Sequence, residues 1–127
     1  MNESLRISES EWEVMNLVWR QNPATAAGMV AELSERKGWH VRTIRTLIDR
    51  LVRKGALKIK EDGRRYLYYP GIRREVCVRQ ASQTFMARVF EGAPASLVLN
   101  LVRKTPLDKK EIAELRRILD AKEGEDL

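Results

Sequence analysis

Between residues 40 and 55 the chain reads HVRTIRTLIDRLVRKG, with arginines at 42, 45, 50 and 53 and threonines at 43 and 46 set among apolar residues. A guanidinium fork holds a carboxylate, a phosphate or the O6/N7 edge of guanine with two hydrogen bonds. Threonine offers a hydroxyl and a methyl to adenine or thymine edges. This is binding chemistry rather than bond-making chemistry. His40 is the only histidine in the chain, which also has no glycine-rich phosphate loop and no obvious pair of carboxylates in an apolar setting. General acid–base catalysis is therefore not expected. His40 reads as a cap or linker where the helix begins. Cys77 is the only cysteine, so it makes no internal disulfide, and it has no cysteine or histidine cluster around it. No metal and no cofactor is expected, and Cys77 reads as a packed or half-exposed helix residue.

The elements that position these side chains follow from periodicity. Val41, Ile44, Leu47, Ile48 and Leu51 recur at spacings of three and four, which places them on one face of an α-helix and turns the arginines outward. Gly55 ends the helix as a C-cap. A basic face alone is equally consistent with a solvated surface helix, so its neighbours have to decide. Residues 36 to 65 carry eleven Lys/Arg against three Asp/Glu, a local excess of +8 in a chain whose net charge is +6. Such a concentration is the footprint of a polyanion-binding surface. A lipid surface is the weaker partner, because the apolar face of this helix is needed by the core of a small domain.

Upstream, Ser8 with Glu11 forms a capping box for a first helix carrying Trp12, Met15, Val18 and Trp19 inward. Asn22-Pro23 stops it, Pro23-Ala24 links, and Thr25 caps a second helix to about Lys37 with Val30 and Leu33 inward. Gly38 and Trp39 turn into the arginine helix. Downstream, residues 56–60 and 64–69 alternate in polarity around Glu61-Asp62-Gly63, a hairpin signal. Lys58 and Lys60 share one face of the first strand, and Arg64 and Arg65 stand at the tip. Three short helices followed by a basic hairpin is the winged helix-turn-helix plan, whose third helix enters the major groove. On that plan Arg42, Thr43, Arg45 and Thr46 meet base edges. Arg50, Arg53, Lys54, Lys58, Arg64 and Arg65 meet phosphates, and Asp49 can hold Arg45 or Arg53 from four residues away.

Beyond Pro70 the chain is helical again. One helix runs from Arg73 to about Phe90, with Val76, Ala81, Phe85 and Val89 as its inward positions, and Gly92 and Pro94 break it. Residues 96–102, SLVLNLV, form a short apolar segment closed by Thr105-Pro106. Asp108 with Glu111 caps a last helix bearing Ile112, Leu115, Ile118 and Leu119, and the tail KEGEDL is expected to fray. Helices this short and apolar either fold back onto their own domain as a monomer or, as the stronger expectation, form a two-fold dimer with Val76, Phe85, Val89, Leu97, Val98, Leu101 and the four apolar residues of the last helix at its interface. The expected fold is mainly α with a small β-hairpin. A winged-helix DNA-binding domain, residues 1–70, precedes a three-helix dimerisation region, residues 71–127. No apolar stretch approaches the roughly 20 residues that cross a bilayer, and the polar start MNESLRISESE does not read as a signal peptide, so the cytoplasm is expected. A different class of function uses the same surface: an interaction module whose basic face docks an acidic protein without reading DNA.

The motifs ISESEWEVMNLVW, PATAAGMVAEL, TIRTLIDRLVRKGAL, GRRYLYYP, SLVLNLV and EIAELRRIL occur in this order over almost the whole chain. Together they resemble the penicillinase-repressor family of the BlaI/MecI type. The resemblance implies a cytoplasmic homodimeric repressor that binds a dyad-symmetric operator with TACA and TGTA half-sites and controls β-lactamase, cell-wall or antibiotic-response genes. In penicillin-responsive members a membrane sensor leads to a cut after the asparagine of an S-L-V-L-N-F segment, which weakens dimerisation. The matching bond here is Asn100-Leu101, with leucine in place of phenylalanine. A second departure is His40-Val41 where members often carry serine-proline. Copper-responsive members have a C-terminal cysteine cluster, and this chain carries none.

Overall fold

A computed structural model describes residues 6–91 and 93–125. Its elements are α1 (Glu9–Arg20), α2 (Ala26–Lys37), α3 (Val41–Lys54), β1 (Leu57–Asp62), β2 (Arg65–Pro70), α4 (Arg74–Val89), α5 (Pro94–Lys104) and α6 (Lys109–Glu125). The chain divides into two compact units between Thr84 and Phe85, inside α4.

In the first unit each helix begins and ends where local chemistry sets it. The Ser8 hydroxyl accepts from the Glu11 N–H at 3.2 Å, and the Glu11 carboxylate accepts from the Ser8 N–H at 2.9 Å. Thr25 caps α2 through the Gly28 N–H. Gly38 and Gly55 close α2 and α3 in left-handed conformation, at φ 70° and 83°. Val14, Met15, Leu17 and Val18 of α1 meet Met29 and Leu33 of α2 and Ile44, Leu47, Ile48 and Leu51 of α3 in one buried core, which Ala56, Leu57 and Tyr68 complete. Removing a side chain such as Leu51 from such a core costs roughly 2–5 kcal/mol.

Some inward assignments change. Val41 is 43% exposed, because the first residue of α3 lies beyond the reach of the core. Trp12 and Trp19 are only half-buried. Their rings meet at a tilt of 58° with centroids 5.6 Å apart at the core's edge, and the Trp19 indole N–H donates to the Ile72 carbonyl at 3.0 Å. Val30 is likewise half-buried.

The hairpin turns one residue later than its Asp-Gly signal indicates. Asp62 pairs with Arg65, leaving Gly63 and Arg64 as a two-residue turn with Gly63 at φ 65°. Ala24 adds a short third edge: its N–H donates to the Tyr68 carbonyl at 3.0 Å, and its own carbonyl accepts from the Tyr68 N–H at 2.7 Å. Gly71 then passes so near the α3–β1 turn that a Cβ there would stand 2.3 Å from the Gly55 carbonyl oxygen. Three helices and a two-stranded wing make the winged helix-turn-helix arrangement.

In α4 the buried residue is Cys77 rather than its neighbour Val76, which is half-buried, and Ala81 is exposed. In the second unit, the Phe85 and Phe90 rings pack at a tilt of 58° with centroids 5.7 Å apart, while Phe85 remains 48% and Val89 54% exposed. The apolar segment 96–102 belongs to a longer helix, α5, with Pro94 at its first turn and Thr105 as its C-cap. Gly92, expected to break the chain here, lies outside the described residues. The Asp108–Glu111 capping box opens α6, at 2.7 and 3.0 Å. The tail does not fray at Lys122: α6 continues to Glu125, and the last two residues lie outside the described set. Leu97, Ile112 and Leu115 are half-buried, and Val98, Leu101, Ile118 and Leu119 are 43–58% exposed, so neither α5 nor α6 buries a residue within the single chain. No single helix among the described residues is long and apolar enough to cross a membrane.

Candidate nucleic-acid interface

α3 is held by its apolar stripe and presents the opposite side to solvent. Arg42, Thr43, Arg45, Thr46, Asp49, Arg50 and Arg53 are all exposed. At its start the His40 imidazole Nδ1 accepts from the Arg42 N–H at 3.0 Å, satisfying one of the helix's otherwise unpaired donors. Thr46 Oγ1 donates to the Arg42 carbonyl at 2.9 Å. Its hydroxyl proton is thereby engaged, and what it turns outward is its methyl and an acceptor oxygen. That set suits a thymine methyl or an amino donor better than a carbonyl acceptor.

Ion pairing separates two classes of cation in the first unit. Arg20 and Arg36 share Glu32, at 2.8 and 3.2 Å, and Arg36 and Lys37 reach Glu13, at 3.3 and 3.4 Å, so the basic residues of α1 and the end of α2 are satisfied by carboxylates around them. Among the described residues, Arg42, Arg45, Arg50 and Arg53 of α3 and Lys58, Lys60 and Arg64 of the wing make no ion pair. Asp49, expected to hold Arg45 or Arg53, pairs with neither. Arg65 is partly drawn to Asp62 at 3.3 Å across the turn. Among the described residues Arg73, Arg74 and Arg79 of the first unit likewise make no ion pair, so what marks the helix and hairpin that the winged-helix plan sets against nucleic acid is the concentration of free cations on them, seven between residues 42 and 64.

Lys54 lies outside that set. Its ammonium donates to the Glu11 carboxylate and to the Arg6 carbonyl. The Glu11 side chain is 2% exposed and that of Lys54 26%. Burial pushes the Glu11 carboxyl upward, but the Lys54 ammonium and the Ser8 donors outweigh it and hold the group below the ordinary carboxylate range. Lys54 therefore joins the end of α3 to the start of α1, forty-three residues away in sequence. No local pattern announces such a pair. Tyr68 is the second residue missed at the sequence level: it is buried, its backbone bonds Ala24, and its phenol titrates above its usual range through burial and the nearby Asp49 charge, against the opposing pull of Arg45.

Among the described residues no cluster of three or more metal-ligating side chains occurs. Asn100 and Leu101 lie within α5, both exposed.

Comparison with known proteins adds an independent line. A family model described as penicillinase repressor matches residues 7–121. The methicillin resistance regulatory protein MecI of Staphylococcus aureus strain N315 is 40% identical over 121 residues, covering 95% of this chain and 98% of that protein. The penicillinase repressor of Bacillus licheniformis is 35% identical over 115 residues, covering 91% of this chain and 90% of its own length. A solution structure of the DNA-binding domain of the repressor BlaI superposes with a TM-score of 0.51 at 36% identity, covering 54% of this chain and 84% of that one. The monomeric form of Bacillus licheniformis BlaI in complex with the blaP half-operator superposes with a TM-score of 0.50 over the same shares at the same identity.

Proposed function

The chain belongs to the penicillinase repressor family, and from that premise we propose that it acts as a two-fold dimer on a palindromic operator, reading one half-site with each α3. It is a DNA-binding transcriptional repressor of antibiotic-resistance type and not an enzyme. The observation that carries the detailed reading is the concentration of exposed, unpaired cations on α3 and the wing. In this reading residues 1–70 bind DNA in the cytoplasm, with Arg42, Thr43, Arg45 and Thr46 at base edges and Arg50, Arg53, Lys58, Arg64 and Arg65 at phosphates. Lys54 is left out, because leaving Glu11 would strand a buried carboxylate.

Residues 71–127 form the dimer. Phe85, Val89, Val98, Leu101, Ile118 and Leu119 are too exposed in a single chain to be at rest in water, and a second copy covering them supplies the burial that α5 and α6 lack. The operator half-sites are TACA and TGTA, and the controlled genes are β-lactamase, cell-wall or antibiotic-response genes. A sensor-linked protease cutting Asn100-Leu101 would act in the middle of α5, so the helix has to unwind locally before the bond reaches a protease's extended-substrate cleft. The cut would divide the face that the dimer needs.

The test is selection of random duplexes by the purified full chain at near-physiological salt, with its mass measured in solution. Enrichment of a two-fold palindrome by a particle of twice the chain mass is the expected result. A folded monomer, or enrichment of a non-palindromic site, overturns the dimeric reading.

A further inference from the structure

Where α1 ends, β2 leaves the sheet and α4 begins, the first unit is concave. A cavity of about 520 Å³, open to solvent, has an apolar wall from Trp19, Pro70 and Ile72. That volume falls within the range of small-molecule sites, roughly 300–1,000 Å³. Its frame is fixed: the Trp19 indole N–H donates to the Ile72 carbonyl at 3.0 Å, the Gly71 N–H donates to the Ala56 carbonyl at 2.8 Å, and Gly71 has no room beside the Gly55 carbonyl for a side chain. The end of α1, the α3–β1 turn and the segment entering α4 are thereby tied together, and the cavity needs no ordering of its walls to receive a ligand.

The polar part of the lining is unsatisfied. Arg73, Arg74 and Glu75 all border the cavity, all are exposed, and among the described residues none makes an ion pair. Asn22 also borders it; its side-chain amide donates to the Val18 carbonyl at 3.1 Å, which leaves Oδ1 as an acceptor. No residue of the lining belongs to α3 or to the turn of the wing, so contact with nucleic acid through that surface leaves these groups without a task.

We propose that this cavity binds a free α-amino acid with a large apolar side chain. The carboxylate lies in the guanidinium forks of Arg73 and Arg74, the ammonium donates to the Glu75 carboxylate and to Asn22 Oδ1, and the side chain lies along Trp19, Pro70 and Ile72. The ligand class follows from the mixture of lining groups. A simple carboxylic acid sets a negative charge beside Glu75 with nothing to offset it, a simple amine sets a positive charge beside two arginines, and a sugar leaves the apolar wall without a partner. Bound there, the amino acid joins the end of α1 to the start of α4 and favours the folded first unit by mass action.

The probes are L-phenylalanine and L-leucine, titrated into the full chain by isothermal calorimetry without DNA, beside 3-phenylpropanoate, which lacks the ammonium, and 2-phenylethylamine, which lacks the carboxylate. Saturable binding of an amino acid is expected, with each half-molecule about tenfold weaker than phenylalanine because each loses one charged contact. The double variant Arg73→Gln, Arg74→Gln is expected to bind phenylalanine at least about tenfold more weakly, and Glu75→Gln to reduce the preference for phenylalanine over 3-phenylpropanoate to less than about threefold. All three positions are exposed, and an unchanged urea midpoint of each variant verifies the fold. Absence of saturable binding of both amino acids at about 10 mM, binding of 3-phenylpropanoate as tight as that of phenylalanine, or wild-type behaviour of either variant overturns the proposal. The outcome is independent of whether the chain reads DNA.

Discussion

Replacing Lys54 by methionine isolates the buried pair that joins α3 to α1. The Glu11 carboxylate is 2% exposed and loses its one cationic partner among the described residues, keeping the Ser8 donors. Stranding one member of a fully buried pair costs roughly 3–5 kcal/mol. Because the Lys54 side chain is itself 26% exposed, part of its charge is already screened, and a smaller cost, about 2–3 kcal/mol at pH 7, is expected. The assay is urea unfolding of the full chain followed by tryptophan fluorescence, since Trp12, Trp19 and Trp39 all lie in the first unit and report it alone. The midpoint should drop by about 2 M. The pH dependence is the sharper signature. In the wild type the folded-state pKa of Glu11 is lowered from 4.5, so its stabilisation is complete above that value and is lost as pH falls through the folded pKa. In Lys54→Met burial prevails, the carboxyl takes a proton earlier on acidification, and the strain of a stranded charge disappears. The gap between wild type and variant should therefore shrink from pH 7 to about pH 3.5. A gap that is constant over this range refutes the electrostatic account and leaves only lost packing.

Other outcomes follow from the same geometry. Gly71→Ala should destabilise the first unit by more than about 2 kcal/mol, read by the same unfolding assay, because the new Cβ meets the Gly55 carbonyl oxygen at 2.3 Å and the backbone there has no room to move. Thr46→Val, which keeps the methyl and removes the bond to the Arg42 carbonyl, should leave binding to the selected duplex within about threefold if thymine is the target, whereas Thr46→Ala should alter preference at a single position in a repeated selection. Leu101→Asp should convert the dimer to monomer in sedimentation and leave the unfolding midpoint of the first unit unchanged, since Leu101 is 52% exposed in the single chain.

Much of the fold was legible because its signals are local. The Ser8–Glu11 and Asp108–Glu111 boxes, the glycine caps at 38 and 55, and the buried quartet Ile44, Leu47, Ile48 and Leu51 each follow from residues within one or two helical turns. The arginine face followed from the same periodicity. The misreadings have a common origin in distance. Val41 belongs to the apolar stripe by spacing, yet the core ends before it. The turn at Gly63-Arg64 shifted by a residue because strand register is set by Leu57 and Tyr68 entering the core rather than by Asp62-Gly63 alone. The pairings of Glu11 with Lys54 and of Ala24 with Tyr68 join residues more than forty positions apart, and no sequence window contains both partners. For α5 and α6 the apolar pattern was plain, but a single chain provides no surface to bury it.

The backbone bonds between Ala24 and Tyr68 leave the domain little freedom to adapt. The link into α2 and the strand that carries the wing are joined at Tyr68 by two hydrogen bonds and the sheet register, and its ring is buried in the same core as the apolar stripe of α3. A helix in the groove and a wing on the neighbouring backbone therefore move as one solid template. When an operator variant places its phosphates slightly out of register, the duplex has to bend or twist to meet the protein. Sequences that deform easily at positions no side chain touches will then rank above stiffer ones with the same contacted bases.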